Sequence, residues 1–491
     1  MIKKLYDTSL SLLTDLYQLT MAYGYYQSQT AEKEAVFNLY FRRHPFSGGF
    51  TVACGLNYVI GYLREYRLSK KDIRYLETLT GNDGKPLFDA DFLQYLTQLE
   101  FTCDIDAVPE GTVVFPNEPL LRIRGPILQC QLLETPLLNM VNFQSLIATK
   151  AARLRLAAKD DTLLEFGLRR AQGVDGGMTA SRAAYIGGCD ATSNVLAGKL
   201  YDIPVKGTHA HSWVMSFPDE LTSFETYAEV LPNNVTFLVD TYDTLEGVRN
   251  AIRVGHKLRE RGHTLAGIRL DSGDLAYLSI ESRKLLDEAG FTDTGIVASN
   301  DLDEHIITSL KEQGAQINIW GVGTKLVTAY DQPALGGVYK LAAIREGDGE
   351  GARWEYKMKL SEQAIKISTP GIQQVRRYLD EQGNFVSDMI YDEDRLPTDA
   401  ATMIDPLDFT KRRKFDAGQP YEDLLVPIFR KGKLVYQQPD IHQARERVQQ
   451  QLAGLHAGIK RFVHPHTYPV GLERQLHELK TALILKLRGQ G

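Results

Sequence analysis

Val235-Thr-Phe-Leu-Val-Asp240, Leu265-Ala-Gly-Ile-Arg-Leu-Asp271-Ser-Gly-Asp274, Gly295-Ile-Val-Ala-Ser-Asn300-Asp301 and Ile317-Asn-Ile-Trp-Gly321-Val-Gly323-Thr324 decide the fold of this chain. Each is a short apolar run that ends on aspartate, asparagine or glycine. Such runs read as buried strands, and the stretches between them read as helices. Leu245, Val248 and Ile252 mark one helix face, and Leu275, Leu278, Leu285 and Leu286 mark the next. Repeated strand–helix units from about residue 160 to 340 predict an α/β fold, either a (β/α) barrel or an open parallel sheet. The run of polar strand ends favours the barrel, in which residues just past parallel strands share one mouth.

Outside this region the pattern changes. Residues 9–29 carry Leu12, Leu13, Leu16, Leu19 and Ala22 at helical spacing, residues 34–55 read as strands around a Pro45 turn, and 84–130 mix a helix with short strands. A long apolar helix is expected over 135–158. From 370 the alternation is lost, with a β-like stretch over 378–394 and charged helices over 440–456 and 473–488. The reading is three parts: 1–140, a mixed α/β domain; 141–369, an irregular barrel; and 370–491, a C-terminal mixed segment packing on the other two.

The composition is that of an ordinary soluble protein. Of 491 residues, 43% are hydrophobic and 24% charged, and the net charge is −6, so no broad basic field supports a nucleic-acid or anionic-membrane partner. The four cysteines are scattered and form no Cys-x-x-Cys pair, which argues against a disulfide framework or a structural zinc site. Met-Ile-Lys-Lys at the start is not a signal sequence and no apolar run is long enough to span a membrane, so the cytoplasm is expected.

Several strand ends carry chemistry. Phe166-Gly-Leu-Arg169-Arg170 places two guanidiniums after a strand; arginine's fork suits phosphate or carboxylate, and although an Arg-Arg pair is in general a surface pair of solvated charges, the strand-end position and the glycines of Gly173-Val-Asp-Gly176-Gly177 favour a functional role. His209-Ala-His211 has two imidazoles that share a face if the segment is a strand. They read as metal ligands, or as one nucleophile or acid/base with Asp240 fixing its tautomer. The later histidines His256, His263 and His305 fall in helices, which weakens the zinc reading, and His209 is the one more readily taken as structural. Arg269 and Asp271 lie together, and strand-end carboxylates suit Mg²⁺ or ribose hydroxyls. Gly321-Val-Gly323-Thr324 resembles a phosphate cradle late in a barrel. Arginines, a phosphate loop, carboxylates and a histidine suit a phosphorylated-sugar substrate, and spacing alone does not name the reaction.

Together these segments resemble the nicotinate phosphoribosyltransferases, a type II phosphoribosyltransferase family. The resemblance runs from Leu13-Thr-Asp-Leu-Tyr17-Gln to Lys366-Ile-Ser-Thr-Pro-Gly371. It takes in Tyr40-Phe-Arg-Arg-His-Pro-Phe-Ser-Gly-Gly, Phe166-Gly-Leu-Arg-Arg-Ala-Gln-Gly, Gly207-Thr-His-Ala-His-Ser, Arg269-Leu-Asp-Ser-Gly-Asp, Gly321-Val-Gly-Thr and Leu335-Gly-Gly-Val-Tyr-Lys340. It implies that nicotinate is joined to phosphoribosyl pyrophosphate (PRPP), giving nicotinate mononucleotide and pyrophosphate in NAD biosynthesis. ATP hydrolysis would drive the reaction through a phosphohistidine, with Mg²⁺ arriving on PRPP and ATP.

By position His211 resembles the phosphorylated histidine, and Asp240 its partner. Tyr17 resembles a ring-stacking tyrosine given by the second subunit of a homodimer with shared sites, and Phe166 the opposite face. Arg269 and Thr208 look like nicotinate-site residues. Arg169, Asp271, Gly323 and Thr324 look like PRPP and phosphate contacts, Asn300 and Gly321 are expected among the substrate-binding residues, and no metal ligand is assigned on the protein. His209 departs from the apolar residue expected there. A nicotinamide-specific relative is the nearest alternative; it would set an aspartate against the base, where this chain has Thr192-Ser193-Asn194 with Asp190 nearby. A metal-dependent barrel hydrolase and a non-catalytic nicotinate sensor are the readings from other classes.

Overall fold

The computed structural model describes residues 8–347, 352–363, 366–396 and 400–490; Met-Ile-Lys-Lys lies outside the described residues. The chain forms two compact units. One gathers residues 1–145, 334–440 and 449–491, and the other holds 146–333 with 441–448. The helix Glu134–Ala158 runs across the boundary.

The 146–333 unit is built on parallel strands. They are Thr162–Glu165, Ala191–Thr192, Thr236–Leu238, Gly267–Leu270, Gly295–Ala298 and Ile319–Val322. Consecutive strands pair, with Thr236 against Gly267, Gly295 against Gly267 and Val297 against Ile319. The last then returns to the first, Ile319 against Thr162, and Leu164 pairs with Ala191. Val205 adds a single bridge to Thr192. Between Val205 and Thr236–Leu238 no ladder forms among the described residues. Ile268, Leu270, Ile296, Ala298, Trp320 and Val322 are buried. Their strands read as continuous apolar runs because helices cover a parallel sheet.

Polar residues after the strands divide into two jobs. Asp243, Asp274 and Asp303 cap the helices Thr244–Glu260, Leu275–Glu288 and Glu304–Glu312, each carboxylate accepting a first-turn N–H. The residues nearest the strand ends, described below, are left to line a pocket. No described helix is long and apolar enough to cross a membrane.

The other unit carries two sheets. Its seven-stranded sheet places Glu34–Phe41 between Gly337–Arg345 and Leu121–Pro126, both antiparallel to it. Its six-stranded sheet contains Gln373–Leu379 paired with Phe385–Asp392. The N-terminal helix is shorter than its leucine spacing predicts. It spans Leu16–Gln27 because Asp15 and Gln18 form a capping box, and the preceding residues are turns. Leu19 and Ala22 pack with Phe88, Phe92 and Leu96.

A fully buried ion pair organises the six-stranded sheet. Arg377 Nη2 donates to Asp388 Oδ2 at 2.5 Å and to the Val113 carbonyl at 2.8 Å, and Nη1 donates to Gln451 Oε1. The Tyr468 hydroxyl donates to Asp388 Oδ1 at 2.7 Å. Deleting one member strands the other charge in the core. Arg377→Leu is therefore expected to cost about 3–5 kcal/mol, read as a fall in the urea midpoint, and Arg377→Met with Asp388→Leu should recover most of it.

Candidate active site

The parallel strands deliver their polar ends to one pocket of about 380 Å³, lined by Phe166, Arg169, Thr208, His211, Arg269 and Asp271, with Ser193 and Leu238 also on its wall. Arg269, next to last in its strand, is held on three sides. Nε donates to Ser299 Oγ at 2.8 Å, Nη1 to Thr208 Oγ1 at 2.9 Å and Nη2 to Asp271 Oδ1 at 2.9 Å. Its guanidinium lies 5.6 Å from the centre of the Phe166 ring. Burial raises the Asp271 carboxyl pKa, but hydrogen bonds from Ser299 and Arg269 outweigh burial and hold it below the usual carboxylate value.

Phe166 is seated by glycine. A Cβ at Gly321 would come within 2.7 Å of the Phe166 ring, and one at Gly323 within 3.2 Å of the Phe166 carbonyl oxygen. Only a bare backbone lets the ring lie there. Glu165, fully buried just before it, accepts from the Gly167 N–H, from Ser181 Oγ at 2.9 Å and from Thr192 Oγ1 at 2.5 Å. This carboxylate ties two strand ends and a helix beneath the Phe166–Arg169 turn. Nothing in the local sequence marks Glu165 for this role, since two of its three donors, Ser181 and Thr192, are distant in the chain.

The histidines differ from the expected strand pair. Residues 206–210 are irregular and His211 opens the helix His211–Met215, so the two rings do not share a strand face. His211 keeps 39% of its side chain exposed. Its Nδ1 lies 3.1 Å from Thr241 Oγ1, and its Nε2 lies 3.9 Å from both Asp240 Oδ1 and Asp271 Oδ2. Asp240 makes no direct hydrogen bond to His211. Its Oδ2 accepts from the Asp271 N–H at 2.9 Å and Ser272 Oγ at 2.6 Å, and its buried Oδ1 has no hydrogen-bond partner among the described residues. Thr241 and Ser299, both missed from sequence, are the hydroxyls that fix His211 and Arg269.

Other expected residues take different places. Thr324 follows Gly323 at the end of its strand and begins the short helix Thr324–Val327. Asn300 is exposed and left-handed, with φ +94°, and does not line the pocket. Asp190 is occupied elsewhere, accepting from Arg155 Nη2 at 2.5 Å and Arg445 Nη2 at 2.6 Å, and it also lies off the pocket. Tyr17 belongs to the other unit, 47% exposed. Among the described residues no three His, Cys, Asp or Glu side chains gather as a metal site.

His209 closes the gap in the sheet. Its Nε2 accepts from the Leu238 N–H at 3.2 Å, on the edge of Thr236–Leu238 away from the ladder with Gly267–Leu270, and its ring packs against Tyr227 and Phe224. Burial pushes its pKa from 6.5 down to about 4, with the Arg269 and His211 charges adding to the shift. The unfolded chain takes up this proton at a pH where the folded chain does not. His209 thus removes stability as pH falls from about 6.5 to about 4, by up to roughly 3 kcal/mol. Glutamine can accept the same bond without titrating, so His209→Gln is expected to flatten the fall of Tm across that window. An unchanged pH profile would contradict this.

Comparison with known proteins matches this geometry over nearly the whole chain. The profile of the nicotinate phosphoribosyltransferase N-terminal domain covers residues 12–142, that of the family residues 162–349, and that of the C-terminal domain residues 372–480. The chain is 47% identical to the nicotinate phosphoribosyltransferase of Bacillus subtilis over 97% of each chain, and 37% identical to that of Homo sapiens over 96% of each. The crystal structure of human nicotinic acid phosphoribosyltransferase superposes with a TM-score of 0.83 at 35% identity, covering 96% of this chain and 99% of that one. With three domain profiles in order and relatives matching along nearly its whole length, this chain belongs to the nicotinate phosphoribosyltransferase family.

Proposed function

We propose that the chain joins nicotinate to PRPP, with ATP hydrolysis, at the pocket of an irregular barrel formed by the 146–333 unit. The observation that carries this reading is Arg269. A guanidinium fixed beside an aromatic ring suits a flat ring bearing a carboxylate: Phe166 covers one face of the pyridine and Arg269 pairs with the carboxylate, with Thr208 alongside. Nicotinamide lacks that charge. Asp190, the carboxylate nearest the base-facing segment in sequence, is bound to two arginines, which disfavours the nicotinamide-specific alternative.

In this reading the pyridine nitrogen attacks C1 of PRPP. The N–C bond forms as the C1–O bond to pyrophosphate breaks, and the electron pair leaves on pyrophosphate. Arg169 and the backbone N–H groups of the Gly321–Thr324 segment meet the leaving charge. Asp271 takes ribose hydroxyls. The unpartnered Asp240 Oδ1 and the nearby Asp271 Oδ2 are hard oxygen donors that fit a magnesium ion carried in by PRPP. Held there, it would supply positive charge to the pyrophosphate. A ring nitrogen of half-exposed His211 takes the terminal phosphoryl group of ATP, the N–P bond forming as the P–O bond to ADP breaks, and water later releases it as inorganic phosphate, which couples hydrolysis to the site without touching nicotinate. The enzyme would serve NAD biosynthesis in the cytoplasm.

A homodimer with shared sites completes the pocket. Tyr17 stands on an apolar edge, with Leu10, Leu13, Leu16 and Met21 all exposed beside it in sequence. A core tyrosine would be covered. This edge suits a second copy of the chain, and Tyr17 would cover the nicotinate ring of its partner's pocket.

Arg269→Ala is expected to raise the nicotinate KM by roughly tenfold to hundredfold while moving the PRPP KM far less, as loss of a charge-assisted bond of about 1.5–3 kcal/mol requires. Equal losses for the two substrates would place Arg269 on the phosphate side. The shared site is tested by mixing subunits. Tyr17→Ala and His211→Ala homodimers are each expected to lose ATP-coupled turnover. Their heterodimer should regain it, because one of its two sites receives both intact residues. No recovery in a verified heterodimer would place Tyr17 in its own subunit's site.

A further inference from the structure

The unit built from both ends of the chain encloses a cavity of about 600 Å³ that the reaction above leaves unused. One face of the C-terminal helix Arg474–Leu487 supplies Lys480 and Ile484 to its wall, and Arg488 follows at the same spacing. Arg42, at the end of the strand Glu34–Phe41, also lines it. Among the described residues Asp405 is the one carboxylate on the wall, and its Oδ1 already accepts from the Leu407 N–H at 2.8 Å and the Asp408 N–H at 3.1 Å.

The cations are short of partners. Lys480 Nζ makes one hydrogen bond among the described residues, 3.0 Å to Thr369 Oγ1. Burial pulls its pKa down to about 8, and no carboxylate offsets that loss. Arg42 Nε is buried without a hydrogen-bond partner. Sheltered positive charge with no counter-charge is costly, and an anion relieves it. Much of the rest of the wall is apolar or aromatic, including Tyr40, Leu407, Pro469 and Leu472, and Asn117, Gln373, His44 and His466 add polar groups. Convergent polar groups in a mostly apolar cavity are the ordinary make-up of a small-molecule site.

We propose that this cavity is a second ligand site, which takes a phosphate monoester with a flat or apolar body. Lys480 and Arg42 hold the phosphate, exposed Arg488 draws it in, and the body lies along the apolar wall. The site is separate from the barrel pocket and independent of the reaction assigned there.

Equilibrium dialysis of AMP against the full-length protein tests it, with adenosine and inorganic phosphate as the two halves of the probe. AMP is expected to bind saturably and at least about tenfold more tightly than either half. Lys480→Gln should weaken AMP by about tenfold or more, and Arg169→Ala, in the barrel pocket, should leave it unchanged. Arg488 is exposed, so Arg488→Ala carries the test if the Lys480 variant does not fold, with an expected loss of about threefold to tenfold. No saturable AMP binding at millimolar concentration, adenosine binding as tightly as AMP, or loss in Arg169→Ala with retention in Lys480→Gln would each overturn the proposal.

Discussion

The pocket depends on one constraint: a guanidinium at the end of a buried strand must be held on several sides, one of them by an ionised carboxylate, and still line the pocket. Arg269 meets it by giving one donor to Ser299, one to Thr208 and one to Asp271. Asp271 follows the arginine's own strand, Ser299 follows the neighbouring strand and Thr208 lies in the irregular 206–210 segment, so the clasp fixes these loops against one another as well as fixing the arginine. It also leaves Asp271 ionised and turned toward His211, with its second oxygen 3.9 Å from Nε2. Charge, loop positions and the seat of the histidine are thereby set by the same few hydrogen bonds. A preorganised cation of this kind pays little reorganisation when a carboxylate arrives.

A second layer lies under the first. Glu165 fastens the Phe166–Arg169 turn to Ser181 and Thr192, and Gly321 lets the Phe166 ring lie on the neighbouring strand. The result is a flat aromatic surface beside a fixed positive charge. His209 extends this layer to the place where the sheet lacks a ladder, replacing a backbone acceptor with an imidazole nitrogen. An apolar residue there would leave the Leu238 N–H without that partner, which gives a physical reason for histidine at this position.

Much of this was legible in the sequence because buried parallel strands must be apolar, so the polar residue that ends each one stands out. Arg269 and Asp271 were found that way, Phe166 and Thr208 were picked out by the family resemblance, and all four line the pocket. The same signal misleads where aspartate serves a helix: Asp274 caps Leu275–Glu288 instead of facing the pocket. Serine and threonine hydroxyls such as Ser299 and Thr241 carry no sequence signal, since their value depends on which loop comes to rest beside them. The alternation of His209 and His211 implied a strand, but no ladder holds that segment, and its local geometry is set by a side chain instead. The leucines before Asp15 have helical spacing, yet the capping box starts the helix after them and leaves Leu10 and Leu13 exposed. Periodicity reports which residues are apolar; it does not report what covers them.

The central claim is that the pocket selects its aromatic base by carboxylate charge at Arg269. It is tested most directly by pyrophosphate release from PRPP by the purified wild-type protein, with nicotinate, nicotinamide and quinolinate supplied in turn at equal concentration. The account predicts rapid release with nicotinate and little with nicotinamide, which lacks the charge, or with quinolinate, whose second carboxylate adds bulk beside the attacking nitrogen. Release with nicotinamide as fast as with nicotinate would contradict it.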